Sequence, residues 1–135
     1  MTRRIQIVIG NEVAVAELKD AECPITAEAV WQALPLSFPH VLHSRFAGEE
    51  AYFPVPMIEV PPENHKWDSE PGDIGFFPPT GISFYYGRLR VITPGNTFAR
   101  VTENWEGFYR MCKQTWRNHD IPVKVSRLEA GDGRD

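Results

Sequence analysis

The chain has little of what several common protein classes require. It holds only two cysteines in 135 residues. Cys23 and Cys112 stand far apart, each at or within an expected helix, so buried thiols rather than a structural disulfide are expected. No apolar run is long enough to span a bilayer. The first residues, Met1 to Arg4, lead into an apolar stretch, Ile5 to Ile9, too short for a signal-peptide core and without a small-residue cleavage site. A cytoplasmic protein without membrane association is therefore expected. Positive charge is also scarce: the formal net charge is −4 and the basic residues are scattered, which argues against binding to nucleic acid.

Chemical motifs are equally thin. There is no Gly-rich phosphate loop, no serine or cysteine nucleophile motif, and no pair of carboxylates at a useful spacing. His40 and His43 lie three apart on an extended segment and face opposite ways, while His65 and His119 have no evident partners, so neither a metal nor another cofactor is expected.

What the chain does have is 12 prolines, 12% aromatic residues and 42% hydrophobic residues, enough for one compact domain. Ile5, Ile7 and Ile9 alternate with Gln6 and Val8, and Gly10-Asn11 separates them from Val13–Leu18, which reads as a hairpin. Ala27, Val30, Trp31 and Leu34 recur at helical spacing, with Pro24 to open the helix, Thr26 as an alternative cap and Pro35 to end it. Phe38–Phe46 and Glu50–Val55 form a second hairpin around Ala47-Gly48-Glu49. Residues 56–72 carry four prolines and read as a long surface loop, in which Trp67 is costly to leave in water.

The stretch EPGDIGFFPPTGISFYYG reads as a third hairpin, Asp73–Phe77 and Ile82–Tyr86 around Pro78-Pro79-Thr80-Gly81. Alternation places Ile74, Phe76, Ile82, Phe84 and Tyr86 in the core and Gly75, Phe77, Ser83 and Tyr85 on the other face. That second face is a solvent face, a face covered by the long loop, or the floor of a groove. A turn is expected at Thr93–Asn96 and a short strand at Phe98–Val101. Then comes an amphipathic helix with Trp105, Phe108, Tyr109, Cys112 and Trp116 on its apolar side, capped by Thr102 or Asn104. A last strand, Ile121–Leu128, closes a domain of residues 1–128, and 129–135 form a flexible tail rich in Gly and Asp. A mainly β fold, a closed barrel capped by two helices, hides the strand edges most economically.

Three strings, Ala29–Pro35, Glu50–Phe53 and Glu70–Pro79 followed by Phe84–Gly87, are similar to those of bacterial cyclophilin-like proteins of unknown function. The resemblance implies a closed eight-stranded barrel with a helix at each open end. It makes Arg45 the counterpart of the catalytic arginine of true cyclophilins. The Phe-His-Arg-Val-Ile and Gln-Gly-Gly-Asp runs of those enzymes are absent here, so prolyl isomerase activity is not expected.

Alternation from His40 puts Val41, His43 and Arg45 on one face. Those two polar residues are either a solvated strand face or a site for an anion or carbonyl, since guanidinium fits carboxylate geometry and histidine carries a proton. With Tyr52, Phe77, Ser83, Tyr85 and Trp67 they form the candidate groove for a small, anionic molecule or a peptide segment. The alternatives are a weak isomerase or small-molecule enzyme using His43 and Arg45, or an aromatic face that joins copies of the chain into an oligomer.

Overall fold

The computed structural model describes residues 2–45, 48–55, 58–77 and 81–128. The expected turns at Ala47 and at Pro78–Thr80, the end of the second hairpin at Phe46, the loop positions Pro56 and Met57, and the tail from Glu129 lie outside the described residues.

The chain opens with β1 (Arg4–Ile9) and β2 (Glu12–Leu18), paired antiparallel from Arg4↔Glu17 to Ile9↔Glu12. Gly10 turns between them at φ +59°, a left-handed conformation that favours glycine, and the Met111 methyl of the later helix α2 packs close against it. Helix α1 (Pro24–Ala33) begins at its proline as expected. Its first amides are not capped locally: the Glu63 carboxylate accepts from the backbone N–H of Ile25 (2.9 Å) and Thr26 (2.8 Å) and from the Thr26 hydroxyl (2.9 Å). Fully buried Asn96 donates to Thr26 Oγ1 at 3.0 Å and to the Pro61 carbonyl at 2.9 Å. The proline-rich segment is thus pinned to α1 by side chains that bind its backbone.

β3 (Leu36–Phe38) and β4 (Leu42–His43) are short, and β5 (Glu50–Pro54) pairs with both β4 and β8. Within the expected loop the chain forms β6 (His65–Ser69). The hairpin β7 (Asp73–Phe77) and β8 (Gly81–Tyr85) follows as expected. The turn expected at Thr93–Asn96 does not form; a single strand β9 (Leu89–Glu103) runs through it. Pro94 is tolerated because β6 pairs regularly only with Leu89–Arg90 and Gly95–Asn96, leaving it in an irregular stretch that asks for no ladder N–H. Helix α2 (Trp105–Gln114) starts at Asn104, whose side chain accepts from the Gly107 N–H at 3.2 Å, and β10 (Val123–Leu128) ends the described chain.

The ten strands form one antiparallel sheet in the order β3-β10-β1-β2-β9-β7-β8-β5-β4, with β6 attached to β9. The closed eight-stranded barrel is not what these strands make. The path is open between β3 and β4, which have only three and two residues to offer a partner. The backbone bond from Val41 N–H to the Ile121 carbonyl, 2.8 Å, spans the gap there. The core is aromatic and aliphatic, centred on Phe53, Phe76, Phe84, Phe98 and Phe108 with Ile5, Ile7 and Ile9. Cys23 and Cys112 are buried free thiols; burial pushes Cys23 up to about 12 and Cys112 well above its ordinary value, so neither is a nucleophile at neutral pH.

Candidate functional site

The chain places the expected groove residues in three locations. His43 and Arg45 meet at one end of α2. The His43 ring stands edge-on to Trp116 with centroids 4.9 Å apart, and the Arg45 guanidinium carbon lies 4.9 Å over the same indole. Trp116 had the spacing of a core residue, but α2 stops at Gln114, and the next turn swings its ring into partial exposure.

The polar contacts fix the chemistry of His43. Its Nδ1 lies 2.7 Å from the Ser44 carbonyl, which can only accept, so Nδ1 carries the proton and Nε2 accepts from the Tyr86 hydroxyl at 2.6 Å. Burial, with Arg45 adding to it, lowers the His43 pKa, and burial pushes Tyr86 up to about 12, so both partners are neutral at neutral pH. Tyr86 is buried in the core as expected, 4% exposed, and its edge also forms a wall of a half-open cleft of about 650 Å³. Tyr109 and Trp116 complete its aromatic surface, while Arg110, Lys113 and Arg117 bring positive charge. Arg110 is engaged by Glu12 and Lys113 lies 5.6 Å over the Tyr109 ring.

Tyr52, Phe77, Ser83 and Tyr85 occupy the opposite face of the sheet from His43. Directly paired residues of an antiparallel ladder share a face, and the register sets Glu50 against Tyr85, Tyr52 against Ser83 and Gly75 against Ser83. Tyr52 and Phe77 are half-buried and in tilted contact, with centroids 6.3 Å apart. The expectation that Ser83 and Tyr85 lie on the surface fails, since they are 0% and 3% exposed. The Tyr85 ring fills the space over Gly75, where a Cβ would come within 3.0 Å of it, and its hydroxyl reaches Gly95 on β9. Trp67 lies apart on β6, 46% exposed under the Arg90 guanidinium, so the loop does not bury it.

Sequence reasoning passed over two further groups. Lys113 and Arg117 look like ordinary cations at a helix C-terminus, yet Lys113 in the last turn of α2 and Arg117 just beyond it both line the cleft with Tyr86. Glu50 opens β5, and although glutamate is ordinarily a surface residue it is 6% exposed. Its same-parity neighbour Tyr52, two residues on, is the signal that could have placed it on the inner strand. Among the described residues no group of His, Cys, Asp and Glu has the geometry of a metal site.

The profile of a family described as a protein of unknown function, DUF3830, matches residues 6–127. The chain belongs to this family. No curated protein matches it. Two solved structures are similar in fold. The structure of McbB in complex with tryptophan superimposes with a TM-score of 0.79 at 21% identity, over 91% of this chain and 44% of that one. The solution structure of the hypothetical protein AF2241 from Archaeoglobus fulgidus gives 0.69 at 22% identity, over 94% and 95%. This DUF3830 chain therefore spans less than half of McbB and nearly all of AF2241.

Proposed function

We propose that the protein binds a small aromatic anion in the cleft at the C-terminal end of α2. The observation that carries this reading is the convergence of Tyr86, Tyr109 and Trp116 with Lys113 and Arg117 on one concavity, beside His43 and Arg45. Stacking surfaces select a planar group, and cations on its rim fix a carboxylate or similar charge. McbB, a neighbour in fold, is described in complex with tryptophan, an aromatic carboxylate, which makes indole acids sensible first probes. The cyclophilin-like architecture belongs to this reading, supported by the order of hairpins and helices, as does a reducing cytoplasmic setting, supported by two free thiols.

Thermal unfolding with a panel of aromatic and aliphatic carboxylates tests it. Aromatic acids raise the melting temperature of the wild type; saturation at about a hundred times Kd corresponds to roughly 2.7 kcal/mol. The double variant Lys113→Ala with Arg117→Ala loses that response. An undiminished response in the variant, or equal responses to aliphatic acids, places the ligand elsewhere.

A further inference from the structure

His43 is a titratable group in contact with two walls of the cleft. Its Nε2 accepts from the Tyr86 hydroxyl at 2.6 Å, and its ring stands edge-on to Trp116 with centroids 4.9 Å apart. On its own side of the sheet, Arg45 opposes a proton on the ring and Glu49 favours one. β5 sets Ala51 opposite it, with Glu50 turned to the other face by alternation. The segment after β8 brings Tyr86. From α2 and its continuation come Tyr109 and the buried Cys112 thiol, both close to Tyr86, and the cleft-lining Lys113, Trp116 and Arg117.

This arrangement needs an uncharged ring. Nδ1–H is committed to the Ser44 carbonyl, so Nε2 accepts from Tyr86 only while His43 is neutral. A second proton reverses that bond: Nε2 becomes the donor, the Tyr86 oxygen accepts, and the tyrosine proton is left for another acceptor. It also sets a positive charge directly behind two residues that line the cleft. Burial and Arg45 oppose that charge in the free protein, and an anion in the cleft is the counter-charge that offsets them. We propose that His43 makes anion binding in the cleft proton-coupled, its ring taking up one proton as the ligand enters. Resting on the reading of the cleft as an anion site, the coupling adds control by pH to it. By linkage, an anion that raises the proton affinity of His43 is itself bound more tightly by the protonated protein. The cleft fills in mild acid and releases its ligand as pH rises.

Isothermal titration calorimetry of the full chain with naphthalene-2-sulfonate, whose charge is constant with pH, tests the coupling. Titrations at pH values of about 5.5, 6.5 and 8, spanning the ordinary histidine range, are run in buffers of different ionisation heat. The wild type is expected to take up protons on binding, and its Kd to fall toward acid by at most about tenfold per pH unit, the limit for one proton. His43→Gln should abolish both the uptake and the slope. If that variant does not fold, proton NMR of the wild type decides: the histidine in nuclear Overhauser contact with an indole should titrate at higher pH when the probe is saturating. Binding without proton uptake, uptake undiminished in His43→Gln, or an unmoved titration of that histidine overturns the coupling and leaves the anion site standing. No binding at any pH, or binding unchanged in Lys113→Ala with Arg117→Ala, overturns both.

Discussion

The two faces of the sheet around β4, β5 and β8 each hold an ionisable group withdrawn from water that makes no ion pair among the described residues, and they do so with opposite charge types. On the α2 side, His43 is kept neutral by burial and by Arg45 while it accepts from Tyr86. On the other side, burial raises the Glu50 pKa above its ordinary value, and the Ser83 bond offsets only part of that. Desolvation acts alike on both, disfavouring charge, but it makes their responses to pH opposite. For His43 the unfolded chain binds more protons once pH falls below the ordinary 6.5, so acid destabilises that face. For Glu50 the folded chain binds more protons above the ordinary 4.5, so the face loses stability as pH rises through the raised value.

The sharpest test of the division is a pair of phenylalanines one on each face. Phe84 is fully buried between Phe53 and Phe108, with ring centroids 5.8 and 5.2 Å away. Phe84→Ala should cost about 3–5 kcal/mol in urea unfolding, and half-buried Phe77→Ala clearly less. Similar losses would mean the outer face is as much core as the inner one. Next in size is the trans cap of α1: Glu63→Ala should cost roughly 0.5–2 kcal/mol, the range of a lost N-cap. Glu50→Gln should then stabilise the protein at neutral pH, by on the order of 1 kcal/mol, with the gain gone in acid where wild-type Glu50 is protonated; a loss at neutral pH would show the charge to be satisfied. His43→Gln should flatten the decline in melting temperature as pH falls below the ordinary 6.5 of His43, and an unchanged slope assigns that decline to other groups. The smallest effect belongs to Trp67→Ala on exposed β6, within about 0.5 kcal/mol.

The hairpins were legible because turn residues and alternation agree in β1–β2 and β7–β8. Alternation also grouped Ser83 with Phe77 and Tyr85 correctly. It could not tell that this face is covered, because period two reports which residues share a face and nothing about what lies above it. Two features take Tyr85 out of water: a glycine at 75 admits its ring onto the sheet, and β9, running on through Pro94, puts Gly95 where the Tyr85 hydroxyl reaches it. Pro94-Gly95 reads locally as a turn, and only the irregular pairing with β6 lets the strand continue. Of the candidate site, the kinship of His43 with Arg45 was visible in the strand pattern, whereas their meeting at Trp116 depends on where α2 ends, a boundary that periodicity locates poorly.

The cap of α1 bears on the order of events in folding. Glu63 is 37 residues from Thr26 and Asn96 is 70 residues away, so the first turn of this helix closes only when two distant segments have arrived. A ten-residue helix without a local cap is a poor nucleus by itself. Its N-terminal turn is therefore expected to form late in folding, after β9 has entered the sheet, and hydrogen exchange at the Ile25 and Thr26 amides checks this.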